Sequence, residues 1–103
     1  MKYDIIRTDA AEEDLTALIH FIAEDSRSVQ TALNYLDKLE KAVMNLATFP
    51  DIGVIPRYKS LKLQGFKVLI VENHLVFYRV NNEKKQVIVC RIIHGKQDYL
   101  NLI

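Results

Sequence analysis

Two arginines lie inside apolar, strand-like segments near the end of the chain. Arg79 interrupts H-L-V-F-Y-R-V, Arg91 interrupts V-I-V-C-R-I-I, and a polar turn separates the two segments. A short exit then carries His94, Lys96 and Tyr99. A guanidinium is costly to bury and is well suited to binding phosphate or carboxylate. The pattern therefore predicts a β-hairpin with one sheet face left open to an anionic or acidic partner.

The pairing of these two strands decides whether the arginines act together. If the hairpin has a five-residue loop with Val80 opposite Gln86, the alternation of a strand places both arginines on one face. That face holds Leu75, Phe77, Arg79, Val87, Val89 and Arg91, and the uncharged face holds Val76, Tyr78, Val80, Ile88, Cys90 and Ile92. The uncharged face is expected to pack on helices. A register slip of one residue would separate the two arginines.

Helical and strand periodicities order the rest of the chain. The expected order is β-α-α-β-β-β, an α+β fold with an antiparallel sheet and a helical hairpin packed on one face. Thr8 and Asp9 are candidate caps of the first helix. The expected elements are a strand over 3–7, helices over about 10–23 and 28–48, a loop over 49–60, strands over 61–71, 74–80 and 86–93, and a short C-terminal helix within 96–103.

Composition describes an ordinary globular chain with an uneven charge distribution. The 103 residues are expected to form a single domain, 1–103, and their formal net charge is +1. Residues 1–56 carry a net charge of −5 and residues 57–103 a net charge of +6, so the second half is expected to face an acidic partner. Cys90 is expected to be a buried small hydrophobe. No membrane segment, cofactor or metal site is expected, and the predicted location is cytoplasmic.

Four segments together resemble the RelE/ParE superfamily of toxins from bacterial type II toxin–antitoxin modules. They are F-P-D-I-G, G-F-K-V-L, H-L-V-F-Y-R-V and R-I-I-H-G-K-Q-D-Y, and the resemblance covers nearly the whole chain. It implies a toxin that halts growth and is neutralised by a cognate antitoxin. It leaves two branches open: ParE-like members bind and block DNA gyrase without chemistry of their own, whereas RelE-like members cut mRNA in the ribosomal A site.

Under the nuclease alternative, the resemblance implies that cations surround a phosphate while other groups move protons. The candidate residues are Arg79, Arg91, His94, Lys96 and Tyr99. Under the gyrase alternative the same residues form a binding face, to which Arg57, Lys67 and Asp98 are added. The ending H-G-K-Q-D is similar to that of ParE-like members, Gln97 stands where a further basic residue is common, and Lys67 replaces a frequent arginine. These features favour gyrase over the ribosome.

Each candidate also has a structural interpretation. Arg79 and Arg91 are alternatively partners of Glu72, Asp98 or Glu83 in surface ion pairs, which contribute little stability. His94 is alternatively a cap of its strand, and Tyr99 a core residue. A plain interaction module, inactive or binding only an antitoxin, is a further functional alternative. The acidic helical hairpin is unsuited to reading a DNA groove, so operator DNA is expected to be contacted only through the antitoxin.

Overall fold

The computed structural model describes residues 2–97 and contains the predicted α+β order with one additional short helix. The antiparallel strands β2, β3 and β4 follow the helices as expected. The elements are β1 (Asp4–Arg7), α1 (Asp9–Ser26), α2 (Val29–Met44) with a following 3-10 turn (Asn45–Ala47), α3 (Lys59–Leu63), β2 (Lys67–Val71), β3 (His74–Asn81) and β4 (Gln86–His94). The expected C-terminal helix falls largely on residues 98–103, outside the described part. None of the described helices is long and apolar enough to cross a membrane.

Side-chain caps define the starts of the two long helices. The Thr8 hydroxyl accepts a hydrogen bond from the Ala11 amide at 3.1 Å, so Thr8 and not Asp9 caps α1. The Ser28 hydroxyl accepts from the Thr31 amide at 3.1 Å and caps α2. Between the two helices, Arg27 adopts a left-handed conformation with φ 56°. This single residue turns the chain back and forms the predicted helical hairpin.

The helix α3 corrects the prediction of one strand over residues 61–71. Leu61 is 2 % exposed and Leu63 is 75 % exposed, which is inconsistent with the shared strand face that their alternation predicts. Gly65, with φ 84°, ends the helix, because its amide bonds to the Lys62 carbonyl and the next amide, that of Phe66, bonds to the Leu61 carbonyl. This pair of bonds is the Schellman arrangement that closes helices at a glycine.

The four strands form one sheet in the order β1-β4-β3-β2, with β1 parallel to β4 and the other pairs antiparallel. The helical hairpin covers one face of the sheet, as predicted. Its core is built from buried apolar side chains of both helices and three strands, each of which contributes roughly 1.5–3 kcal/mol on burial. They include Leu15, Leu18, Leu39, Val43, Val71, Val76, Tyr78, Val87, Val89 and Ile92.

The opposite face of the sheet is partly covered as well. There α3 and the segment leading into β2 pack on β3 and β4 and form a second apolar cluster. It contains Leu61, Phe66, Val68, Phe77 and Ile93, with Tyr58, Leu75 and Cys90 partly buried against it. Burial raises the pKa of the Cys90 thiol, which is consistent with the expected hydrophobic role.

The predicted register of the last hairpin was wrong. Val80 pairs with Val87 and Asn81 with Gln86, so the loop is one residue shorter than expected. A β-bulge then makes Tyr78 pair with Val89 and Phe77 pair with Arg91. The slip turns Val87 and Val89 toward the helices, and the bulge re-aims the residues beyond them. The contacts of the two arginines show that their guanidiniums lie apart, because Arg91 bonds to Asp14 of α1 whereas Arg79 stacks on Phe66 of the second apolar cluster.

Candidate functional site

Arg91 is held by α1. Its Nε and Nη2 atoms donate hydrogen bonds to the two carboxylate oxygens of Asp14 at 2.7 and 2.9 Å. The same carboxylate accepts the backbone amide of Ile92 at 2.9 Å. The side chains of Asp14 and Arg91 are only 15 % and 23 % exposed, and the hydrogen bonds that Arg91 donates to Asp14 raise the pKa of Arg91. Asp14, the partner that sequence analysis missed, lies 77 residues away and thus gives no local sequence signal.

Arg79 lies on the other face of the sheet and is exposed. Its guanidinium stacks 4.3 Å from the ring centroid of Phe66, and its Nη2 atom donates to Gln64 at 3.4 Å. Stacking on an aromatic ring holds a guanidinium in place without neutralising its charge. The edges of this guanidinium are therefore suited to an incoming anionic group.

Further cations lie on the same side of the chain as α3. The Arg57 guanidinium is 5.3 Å from the ring centroid of Tyr58, which packs against the second apolar cluster. Lys59 and Lys62 are exposed on α3, and residues 57–71 contain four cations and no acidic residue. We call Arg57, Lys59, Lys62 and Arg79 the basic face. Lys67 is not part of the basic face. Its ammonium lies 3.9 Å from the Asp51 carboxylate. Lys67 also pairs across the strands with Tyr78, whose side chain faces the helices.

A cleft of about 620 Å³ opens beside Arg91, between the end of α1 and the ends of β3 and β4. It joins the predicted Arg91 and His94 to six polar or charged residues that were not predicted as site residues. The polar and charged lining consists of Asp14, Tyr35, Glu72, Asn73, His74, Arg91, His94 and Gln97. The Asp14 carboxylate binds Arg91 and the Glu72 carboxylate binds Lys38, so each carboxylate that lines this cleft has a cationic partner.

Two histidines face each other at the end of this cleft. His74 and His94 are direct partners across β3 and β4, and their ring centroids lie 5.3 Å apart in an edge-to-face arrangement. The Tyr35 hydroxyl lies 2.7 Å from His74 Nδ1. Burial lowers the pKa of His74 below its ordinary value, the neighbouring His94 lowers it further, and Glu72 partly opposes the shift. The aromatic pair was not predicted, because the bulge sets its register.

The lowered pKa of His74 predicts an acid-sensitive fold. In the window between the folded and unfolded pKa values, the unfolded chain binds more protons, so the free energy of unfolding falls as pH drops below about 6.5. We expect His74→Asn to flatten this dependence. Urea unfolding of the parent and of His74→Asn between about pH 7.5 and pH 5 measures how steeply the free energy of unfolding of each protein depends on pH. Equal slopes in the parent and the variant would contradict the expected role of His74.

The exit turn, residues 95–97, follows β4 directly. It presents Lys96, whose side chain belongs to the predicted site. Asp98 and Tyr99, the other predicted residues of this segment, lie outside the described part of the chain. The described residues therefore place Arg91 and His94 in one cleft. They place Lys96 in the exit turn, and Arg79 with Arg57 on the basic face. Among residues 2–97, no group of three or more histidine, cysteine or carboxylate side chains could hold a metal ion.

These features define a small α+β fold in which a helical hairpin covers one sheet face and the basic face lies on the other. Residues 5–99 match the family described as the ParE toxin of the type II toxin–antitoxin system parDE. The chain belongs to this family and is a type II toxin–antitoxin toxin. A comparison with curated protein sequences gave no match.

Solved structures of toxin–antitoxin systems have a similar fold. A chain of the chromosomal ParDE system from P. aeruginosa aligns with a TM-score of 0.75 and 18% identity, over 92% of this chain and 98% of that one. A chain of the RelBE2 complex from Mycobacterium tuberculosis aligns with a TM-score of 0.62 and 22% identity, over 91% and 99%. A chain of the DinJ–YafQ complex from E. coli aligns with a TM-score of 0.50 and 15% identity, over 100% of this chain and 99% of that one.

Proposed function

We propose that this toxin inhibits DNA gyrase by binding it and performs no cleavage of its own. The observation that carries the proposal is the match of residues 5–99 to the ParE toxins, since ParE-like toxins are the gyrase-binding branch of the superfamily. The arrangement of the described cations supports the same conclusion. Binding to a protein surface needs separate contacts, whereas phosphate cleavage needs several cations at one point.

The cations of the described chain do not converge on one point. Arg91 is engaged by Asp14 through two hydrogen bonds, so a phosphate would have to displace a carboxylate that is already in place. Arg79 lies across the sheet, stacked on Phe66. This separation disfavours the alternative of a ribosome-dependent mRNA endonuclease, in which these arginines would act on the same phosphate. It leaves the basic face as the proposed target-binding surface. Lys96 of the exit turn, and Asp98 and Tyr99, which follow it in the sequence, are further proposed contacts.

We also propose that a cognate antitoxin neutralises the toxin in the cytoplasm. The solved relatives come from toxin–antitoxin systems, two of them from complexes. Residues 57–103 carry a net charge of +6, which suits an acidic antitoxin segment. Residues 9–25 of α1 contain six acidic residues and no lysine or arginine, which is unfavourable for direct contact with DNA phosphates. Operator DNA is therefore proposed to bind only through the antitoxin.

The decisive experiment follows DNA and protein synthesis separately after toxin induction in cells that lack the antitoxin. We expect DNA synthesis to stop first, with filamentation, and the purified toxin to inhibit supercoiling by gyrase. An early stop of protein synthesis with cut mRNA would refute the gyrase proposal. It would instead support the nuclease, with Lys96 and Tyr99 as the next residues to replace.

Replacement of Arg79 tests the basic face. We expect Arg79→Ala to weaken gyrase inhibition on the order of tenfold, because a charge-assisted contact contributes about 1.5–3 kcal/mol. The stability of the variant should stay close to that of the parent, since Arg79 is exposed. Lys41→Ala is the matched control, because Lys41 is an exposed cation on α2, paired with Asp37. Equal inhibition by both variants would exclude Arg79 from the target interface.

A further inference from the structure

Backbone and side-chain hydrogen bonds both hold the exit turn. The Gly95 amide donates to the Asn73 carbonyl at 2.8 Å and the Gln97 amide donates to the His94 carbonyl at 3.0 Å. The Gln97 side-chain oxygen accepts the His94 amide at 2.9 Å, and His94 Nδ1 accepts the Lys96 amide at 3.1 Å. The last bond is the one that depends on an ionisable group.

The bond from Lys96 fixes the protonation state of His94. A backbone amide can only donate, so Nδ1 must carry a lone pair and the proton of the neutral ring must be on Nε2. Protonation of the imidazole would add a hydrogen to Nδ1. Two donors would then face each other across 3.1 Å, and this bond could not persist. The turn is thus compatible only with neutral His94.

Among residues 2–97, the neighbours of His94 give no carboxylate that is not already bound to another cation. From β3, the His74 ring lies 5.3 Å away, and the two rings would repel each other if both were charged. From α2, the Tyr35 hydroxyl is engaged with His74. Glu72, which precedes β3, lies in the same cleft, but its carboxylate is bound by Lys38 at 2.7 Å.

The two remaining charged residues that line the cleft engage each other. Asp14 of α1 is bound to Arg91 of β4. The fixed charges of the described cleft are therefore already paired, and a proton on His94 finds no carboxylate dedicated to it. Protonation of His94 therefore breaks a hydrogen bond of the exit turn and forms no new ion pair in the described cleft.

We propose that neutral His94 is a positioning residue that holds the exit turn in its target-binding conformation, and that protonation of His94 releases the turn. The conformation of the exit turn, which presents Lys96, then depends on pH. The consequence for gyrase rests on the proposed function, whereas the release of the turn does not.

Two substitutions of His94 separate this role from a general structural one. Asparagine places its side-chain oxygen close to the position of Nδ1 and accepts the Lys96 amide at any pH, whereas glutamine places its oxygen near the position of Nε2 and does not. We expect the parent to lose protection of the Lys96 amide on the order of tenfold when the pH falls from about 7.5 to about 5.5. His94→Asn should keep the protection at both pH values, and His94→Gln should lack it at both.

Amide exchange measured by NMR and corrected for the intrinsic pH dependence of exchange is the direct test. His20→Asn is the control, because His20 is exposed on α1 and should leave the parent behaviour unchanged. Unchanged protection of the parent at pH 5.5, or loss of protection in His94→Asn, would overturn the inference.

Binding to purified gyrase at the same two pH values tests the consequence. The parent should bind about tenfold more weakly at pH 5.5, and His94→Asn should show a much smaller change. An equal loss in both proteins would overturn the role of the turn in target binding. If the parent fails to bind gyrase at either pH, the proposed function fails, while the exchange experiment still decides the behaviour of the turn.

Discussion

Gly53→Ala is expected to destabilise the toxin by about 2–3 kcal/mol, because there is no space for a methyl group at this position. A Cβ atom on Gly53 would lie 2.5 Å from the Tyr78 hydroxyl oxygen and 2.9 Å from the Val68 carbonyl oxygen. The Val68 carbonyl also accepts the Val54 amide, so it cannot move without loss of that bond. Urea unfolding of both proteins measures the difference.

The glycine is required because Tyr78 bonds to the loop that contains it. The Tyr78 side chain is fully buried, its hydroxyl donates to the Pro50 carbonyl at 2.7 Å, and it accepts the Gly53 amide at 2.9 Å. Burial raises the pKa of Tyr78, which keeps this donor protonated. Tyr78→Phe removes both bonds and leaves two backbone groups without this partner, so we expect a loss of about 1–3 kcal/mol.

A double-mutant cycle distinguishes the steric cause from a general weakness of the loop. Because Tyr78→Phe removes the nearest clashing atom, the double variant should be more stable than the sum of the two losses predicts. Full additivity would contradict the proposed clash. Gly95→Ala is the control, since its nearest neighbouring atom would lie 3.4 Å away, and we expect a loss below about 1 kcal/mol.

Local sequence signals predicted the elements well. The threonine cap of α1, the apolar stripes of the helices and the order of the elements along the chain follow from contacts within a few residues. The segment F-P-D-I-G was selected only by its resemblance to a family. The hydrogen bonds of Tyr78 give it a physical explanation, because they join the segment to β3.

Features that depend on distant residues were predicted poorly. The short strand-like alternation of Leu61 and Leu63 did not reveal α3, because the decisive event is the left-handed Gly65 at its end. The bulge at Cys90 altered the register of the hairpin, and the bond of Arg91 to the distant Asp14 holds it away from Arg79, which stacks on Phe66. The cleft combines Tyr35, His74 and His94 from three elements, and no spacing in the sequence indicates that they meet.

Asp14→Ala is expected to cost about 2–4 kcal/mol, because one carboxylate serves both a guanidinium and a backbone amide. The strand β1 ends at Arg7, which pairs with Val89, so the edge of β4 beyond Val89 has no further strand partner in β1. Asp14 occupies that edge by accepting the Ile92 amide. Its removal leaves both this amide and Arg91 without the carboxylate, in a region that is mostly buried.

Comparison of the single and double variants separates the stability that Asp14 gains from Arg91 from the stability that it gains from the Ile92 amide. Arg91→Ala should cost less than Asp14→Ala, since the carboxylate would still accept the Ile92 amide, and the double variant should show a favourable coupling of about 1–3 kcal/mol for the pair. Asp37→Ala is the control, because it breaks an exposed ion pair with Lys41 and should change stability by less than about 1 kcal/mol. An equally small effect of Asp14→Ala would show that the pair contributes little.

The same variants decide whether Arg91 belongs to the target-binding surface. If Arg91 acts only through Asp14, gyrase inhibition by folded Arg91→Ala should equal that of the parent, and any loss of toxicity in cells should follow the loss of stability. The inhibition is measured at a temperature at which unfolding experiments show the variant to be folded. A loss of inhibition in the folded variant would show that Arg91 contacts the target, and would join the cleft to the basic face as one binding surface.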